Sequence, residues 1–318
     1  MNRFLLRHRA LLSSTAIVAV ATVATPAFAQ LRIVGVFNGT TYGGYSVAQV
    51  QGAFNTAAFE LQNSFHDPIT ITINVVGNTS GLASSSSALQ PGNYTYAQIK
   101  TALTNDNTAH PSPDGTTSIA NLPGADPTTG GNFRVTTAQA KALSLIANNN
   151  NVDGTISFNR TQTYTFGPRA AAGAFDFIGI MEHEISEVMG RVDGLNQAPG
   201  NFYTVNDLFR YTVAGGNPNF AVGAANPYLS IDGGTTNLMG FNTDPTKDLE
   251  DYNGGTATDP YNASTPKNQA HAFSGVDVTN LDVIGYDVRT PEPSSLVFAG
   301  TLLLSGSILR RKRTRKTA

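Results

Sequence analysis

The sequence contains no cysteine. No disulfide bond can therefore stabilise the protein outside the cell, and no thiolate can bind a metal ion. Histidine is also scarce, with five residues among 318. Any metal site must consequently combine one of these few imidazoles with carboxylates, which restricts where such a site can lie in the chain.

Positive charge is scarce in the central part of the sequence. Residues 30–290 hold 11 Lys and Arg against 21 Asp and Glu, a net charge of −10, whereas the whole chain has a net charge of −2. A domain this acidic repels the phosphates of nucleic acids, so we expect no nucleic-acid binding. The same charge is compatible with the binding of cations.

The remaining lysines and arginines lie at the two ends of the chain. Three arginines precede an apolar run over residues 16–23 and the segment Ala27-Phe28-Ala29. This order is typical of a secretory signal peptide, here residues 1–29. At the other end, Pro291-Glu292-Pro293 is followed by an apolar run over 296–309 and a basic cluster over 310–316. The basic cluster would stay in the cytoplasm, and the apolar run is short for a membrane span.

The C-terminal segment, residues 291–318, resembles a PEP-CTERM sorting signal. The resemblance implies export in a Gram-negative bacterium that makes exopolysaccharide. The protein would be tethered to the inner membrane through this tail, and a sorting protease would then release it to the cell surface. A plain C-terminal membrane anchor is the alternative interpretation.

Hydrophobic periodicity predicts strands alternating with helices up to residue 193. The predicted strands cover 31–37, 69–75 and 154–160, and the predicted helices cover 45–65, 94–103, 138–147 and a segment from 175 or 176 onwards. Residues 84–87 and 105–132 are predicted loops. The later part is rich in glycine. It contains a hairpin signal around 232–234 and a predicted terminal helix starting at Thr279. We expect the acidic stretch over 244–251 to be a solvated loop, and Ca²⁺ binding by this stretch is the alternative.

The segment EHEISEVMGRVD, residues 182–193, holds three of the six glutamates and one histidine. His183 and Glu187 are four residues apart, so a helix places them on one face, about 40° from each other. The opposite face is apolar and would pack into the core. Glu184 lies at the edge of the polar face. An amphipathic helix with a solvated acidic face is the simpler interpretation of the same spacing.

The segment also resembles the extended zinc-binding motif H-E-x-x-H-x-x-G-x-x-H, with Glu187 in place of the second histidine and Asp193 in place of the third. This resemblance implies a metal ion held by His183, Glu187 and Asp193, and Glu184 as the general base of a hydrolytic reaction. Zn²⁺ is the expected ion, with Mn²⁺ and Ca²⁺ as alternatives, because two carboxylates favour harder cations. His271 is a further candidate ligand, with an ordinary loop histidine as the alternative.

Four strings, EHEISEVMGRVDG, VNDLFRYT, YLSIDGGTTNL and VTNLDVIGYDV, resemble a family of exported bacterial proteins with a zincin-like, or metzincin-like, motif. The resemblance covers about residues 31–288. It implies an α+β fold, with a twisted sheet and long helices in an upper subdomain over 30–193 and a less regular lower subdomain over 194–290. The resemblance does not indicate a substrate.

Two functions remain open from the sequence. The first is an exported zinc metallopeptidase that acts on a peptide or protein substrate. The second is a zincin-fold protein without catalytic activity that serves as a binding or structural component of the cell surface or exopolysaccharide matrix. The residue at position 187 distinguishes the two functions. With Glu187 as a ligand, the metal ion would be a weaker Lewis acid than with a second histidine, which favours the function without catalysis.

Overall fold

The computed structural model describes residues 30–38, 42–167, 171–195, 202–253 and 258–289. The predicted signal peptide and sorting tail lie outside these ranges. Within them, helices and strands are mixed, which confirms the α+β class. No helix in the described part of the chain is long and apolar enough to span a membrane.

A four-stranded sheet forms the centre of the N-terminal part. Its strands are β1 (Arg32–Val36), β2 (Thr70–Asn78), β3 (Ala83–Ser87) and β5 (Val152–Asn159), in the order β1-β2-β5-β3. The first three in this order are parallel, and β3 runs antiparallel to β5. Because parallel strands are usually buried on both faces, β2 carries Ile71, Ile73 and Val75 fully buried and Thr72 almost so.

Two long helices pack on this sheet and on each other. Helix α1 (Val47–Ser64) begins at a capping box in which Ser46 and Gln49 satisfy each other's backbone amides. Helix α5 (Phe177–Met189) packs against α1 and against strands β2, β3 and β5. The predictions for β1, β2, β5, α1 and α5 are therefore confirmed, within a few residues at each end.

The remaining elements, apart from the 14-residue helix α2, are short. The helices are α2 (Tyr96–Ala109), α3 (Pro113–Asn121), α4 (Thr137–Ala142) and α6 (Gly275–Val283), and the two-residue strands are β4 (Asn132–Phe133), β6 (Tyr164–Thr165), β7 (Phe175–Asp176), β8 (Phe202–Tyr203), β9 (Arg210–Tyr211), β10 (Tyr228–Leu229) and β11 (Met239–Gly240). Strands β9, β10 and β11 form a small antiparallel sheet. The predicted hairpin is present as the β10–β11 pair, with a longer connection than the sequence indicates.

Four local predictions were wrong. Residues 84–87 belong to the edge strand β3, although four consecutive serines show no apolar alternation. The predicted loop over 105–132 contains the end of α2 and all of α3, which begins with a Ser112 cap and Pro113 in its first turn. Helix α6 begins after the Ser274 cap, so Thr279 lies inside it. The acidic stretch 244–251 ends in residues 249–251, which are buried instead of solvated.

Candidate metal centre

Helix α5 holds three of the predicted site residues. Asp176 caps its first turn by accepting a hydrogen bond from the Ile178 amide, at 3.1 Å. The helix stops at Gly190, which has a φ of 117° and would bring a Cβ to 2.9 Å from the side chain of Gln139. Every helix residue except His183 is buried. The core thus fixes the positions of the polar side chains on this helix.

His183, Glu187 and Asp251 form a compact group. Their potential ligand atoms all lie within 4.8 Å of one another, so the group could hold a metal ion. His183 Nε2 is 2.9 Å from Glu187 Oε1 and 3.3 Å from Asp251 Oδ1. His183 Nδ1 lies 2.8 Å from the carbonyl oxygen of Pro260. A backbone carbonyl in this position orients the ring and directs Nε2 towards the two carboxylates, as around metal-binding histidines.

Asp193, the third ligand predicted from the sequence, is not part of this group. Its Oδ1 accepts a hydrogen bond from the Leu195 amide at 2.7 Å, and its Oδ2 accepts one from the Leu249 amide at 3.1 Å. Burial and Asp193 raise the pKa of Glu250 well above its usual value, and the Glu250 carboxyl group hydrogen-bonds to Asp193. Asp193 holds the segment that carries Asp251, whereas Asp251 itself faces His183.

Arg191 is a residue of the site that sequence reasoning missed. Its side chain is fully buried. Nη1 lies 3.0 Å from Asp251 Oδ1, and Nη2 lies 3.5 Å from Glu187 Oε1. Its guanidinium carbon also lies 4.3 Å from the centre of the Tyr261 ring. The sequence feature that could have identified Arg191 is its position four residues after Glu187, the spacing at which charged side chains pair along a helix.

The charges within this group shift the pKa values of His183 and Glu187. Burial lowers the pKa of His183, but Asp251 and Glu187 outweigh this effect and raise the pKa to about 10. Burial raises the pKa of Glu187, but His183 and Arg191 outweigh it and hold the pKa at about 2. Without a metal ion, His183 is therefore an imidazolium paired with carboxylates. A metal ion must displace that proton in order to bind.

Glu184, the predicted general base, lies beside this group. Its carboxyl hydrogen-bonds to Glu187, and burial together with Glu187 raises its pKa well above the usual value. Its Oε2 is buried and has no hydrogen-bond partner among the described residues. An unpaired buried carboxylate oxygen is costly in a folded protein, so a water, ion or substrate group is expected there.

The group opens into a cleft of about 800 Å³ along strand β3. Ser85 Oγ donates a hydrogen bond to Glu187 Oε2 at 2.7 Å, and Ser87 Oγ donates one to the Glu187 carbonyl at 3.0 Å. On its other edge, β3 has no strand partner in the part of the chain that the structure describes. A strand edge of this kind can pair with an extended chain.

His271, the further candidate ligand, lies at the opposite end of α5. Its amide donates a hydrogen bond to Asp176 Oδ2 at 2.8 Å, and its side chain is 1% exposed. A Cβ on Gly179 would come within 2.5 Å of the His271 Cβ. Gly179 therefore makes room for His271, which packs against the first turn of α5 and is not part of the His183 group.

Comparisons of this chain with family models, curated proteins and solved structures yield no match.

Proposed function

We propose that this protein is an exported metal-dependent peptidase. His183, Glu187 and Asp251 hold the metal ion, and Glu184 is the general base. The observation that carries the proposal is the His183 ring, which is fixed by the Pro260 carbonyl so that Nε2 faces two carboxylates at 2.9 and 3.3 Å. Ligand atoms at these separations suit a small cation bound through nitrogen and oxygen.

The described side chains fit such an ion. Glu187 and Asp251 provide two negative charges, and Glu184 Oε2 is buried without a hydrogen-bond partner within the described ranges. Zn²⁺ is the proposed ion, with Mn²⁺ and Ca²⁺ as alternatives, since the group has one imidazole and two carboxylates. A bound ion would polarise the substrate carbonyl and make the attacking water more acidic.

The residues of the chain itself would do three things during the reaction. Glu184 accepts the proton of the attacking water once it has lost its own proton, which a bound cation would favour by stabilising the carboxylate against the effect of burial. Ser85 and Arg191 hold Glu187 in place, from opposite carboxylate oxygens. The edge of β3 that has no strand partner within the described ranges binds the substrate backbone as an added strand, which aligns a peptide bond along the cleft.

A zincin-like, or metzincin-like, fold is part of this proposal. It is supported by the mostly parallel sheet, its antiparallel edge strand β3 beside the cleft, and α5 packed on the sheet with its histidine at the cleft. The division into subdomains at Asp193 stays a prediction.

A second candidate is a zincin-fold protein without peptidase activity, acting as a surface or exopolysaccharide-matrix component. Buried Arg191 favours it, because its guanidinium contacts both Asp251 and Glu187 and already neutralises part of the charge that would attract a cation. Buried ion pairs can persist for structural reasons alone.

Cleavage assays on Glu184→Gln separate the two candidates. If the peptidase proposal holds, the wild type cleaves casein or a broad peptide library, and Glu184→Gln loses about 10²–10⁴-fold in rate while it keeps its metal ion. Metal content, measured by mass spectrometry of the purified proteins, is the control. A wild type that binds the ion yet cleaves no peptide of the library would establish the second candidate.

The proposed location follows from the two ends of the sequence. Export through the predicted signal peptide and release from the inner membrane by a sorting protease would place the protein at the cell surface. Exported protein should then lack the basic cluster over 310–316, and finding that cluster by mass spectrometry would contradict the release.

A further inference from the structure

A second group of metal-binding side chains lies at the C-terminal end of α2. Asp106 and His110 are four residues apart there, and Asp287 approaches them from the segment after α6. Their potential ligand atoms lie within 4.8 Å of one another. His110 Nδ1 is 2.8 Å from Asp287 Oδ2. No residue of this group belongs to the cleft around His183.

Two buried polar atoms beside the group lack hydrogen-bond partners in the described part of the chain. Asp67 is 1% exposed, and its Oδ2 accepts a hydrogen bond from the Asp287 amide at 3.1 Å, whereas its Oδ1 has no partner. The Nδ1 atom of His66 is also buried without a partner, and its ring centre lies 5.7 Å from that of His110. Such atoms are rare in native structures unless a water or ion completes them.

The charge at this place is unbalanced. The carboxylates of Asp67, Asp106 and Asp287 interact with one another, and no Lys or Arg forms an ion pair with them among the described residues. The lysine of the adjoining cavity, Lys141, is paired with Asp153 at 2.7 Å and is not available to them. A divalent cation would supply the missing positive charge.

We propose that Asp106, His110 and Asp287 bind a second divalent transition-metal ion, of the Zn²⁺ or Mn²⁺ class. An imidazole ligand disfavours Ca²⁺ and Mg²⁺, which prefer oxygen ligands alone. The His110 side chain is 44% exposed, which leaves a route from solvent.

The role of this site is structural. The chain returns here after α6 and pairs with the end of α1 through the Phe65–Val288 bridge and the hydrogen bond from the His66 amide to the Asp287 carbonyl, at 2.9 Å. A metal ion held by α2 and Asp287 would fasten the last described segment of the chain to α1 and α2. It would therefore stabilise the fold by the free energy of ion binding.

Counting metal ions in four forms of the full-length protein tests the proposal. After dialysis against a chelator and then against Zn²⁺, the wild type should hold two ions per chain, His110→Ala one, His183→Ala one, and the double variant none. Asp114→Asn, which changes a carboxylate outside the group, should keep both. If the cleft binds no ion, the wild type should hold one ion and His110→Ala none, so failure of the peptidase proposal remains distinguishable. An unchanged count in His110→Ala would overturn the second site.

Thermal unfolding of Asp106→Asn gives an independent readout. In chelator, this variant should unfold at the wild-type temperature or above it, because asparagine keeps the size of the side chain and removes a group that is unfavourable to ionise at this position. When Zn²⁺ is added, the Tm of the variant should rise less than that of the wild type. An equal rise in both proteins would contradict the assignment, and stabilisation by Ca²⁺ but not by Zn²⁺ or Mn²⁺ would overturn the class of ion.

Discussion

At the residue scale, the candidate centre depends on which aspartate faces His183. Asp251 Oδ1 lies 3.3 Å from His183 Nε2, whereas both carboxylate oxygens of Asp193 accept backbone amide hydrogen bonds. A carboxylate that faces the imidazole is placed to act as a ligand, and one that accepts hydrogen bonds from two amides supports the backbone. This difference can be measured with matched substitutions.

We expect Asp251→Asn to weaken Zn²⁺ binding by at least about tenfold, because it removes a charged ligand. Asp193→Asn keeps one of the two amide contacts through its remaining oxygen and should change the affinity less, because Asp193 does not face His183. Isothermal titration of both variants measures the difference, with circular dichroism to verify that both are folded. A larger loss of affinity in Asp193→Asn would restore Asp193 as the ligand predicted from the sequence.

Arg191 should be coupled to the metal ion through their shared carboxylates. Removing the guanidinium in Arg191→Met leaves His183 as the one remaining cation beside the Glu187 and Asp251 carboxylates among the described residues, which costs up to about 3–5 kcal/mol of stability. Zn²⁺ replaces the lost positive charge, so the ion should stabilise this variant more than the wild type. Chemical denaturation with and without Zn²⁺ measures both effects. Equal stabilisation of the two proteins would show that Arg191 and the ion act independently.

At the scale of the elements, the end of α5 determines where Arg191 and Asp193 lie. Gly190 has a φ of 117°, and its amide donates hydrogen bonds to the carbonyls of Ser186 and Glu187. An alanine there would be strained and would also press on the side chain of Gln139. The glycine is therefore required by the turn and by the packing around it.

Gly190→Ala should destabilise the protein by more than about 1 kcal/mol, since its native conformation suits only glycine. Gly52→Ala is the matched control, because Gly52 lies inside α1 and an added Cβ would meet no other atom within 4 Å. There the substitution should stabilise the helix by about 0.5–1 kcal/mol. Thermal unfolding of both variants compares them. Effects of the same sign would contradict this account of the turn.

At the scale of the whole molecule, buried carboxylates determine how stability depends on pH. Burial is the main cause that raises the pKa of Asp106 and Asp277 to about 8 and that of Asp207 to about 7. The folded protein therefore binds more protons than the unfolded chain between about pH 4 and 8, and stability falls as the pH rises through this range. The raised pKa of His183 adds a loss in the same direction above about pH 6.5.

The metal-free protein should consequently have a higher Tm at pH 5 than at pH 8. Each 1 kcal/mol lost corresponds to about 2–4 °C for a domain of this size. Calorimetry in chelator at both pH values checks the direction. Repeating the scan with Zn²⁺ should reduce the difference, because the ion binds the deprotonated ligands at pH 8. A Tm that rises from pH 5 to pH 8 in chelator would contradict the assignment of these pKa shifts.

What the sequence alone determined is local. The i,i+4 spacing of His183 and Glu187 and the apolar face of α5 follow from helix geometry, and the start of the helix was predicted within two residues. Strands β1, β2 and β5 were equally readable, because burial leaves an apolar run or an alternation in each of them.

Only the tertiary structure decided the rest of the centre. Asp251 lies 60 residues after its partner Arg191 and belongs to a segment with no regular period, so no local pattern could assign it to His183. Strand β3 consists of one alanine and four serines, and only its pairing with β5 makes it a strand. Periodicity records which face of an element is buried, whereas the packing of distant segments decides which side chains meet.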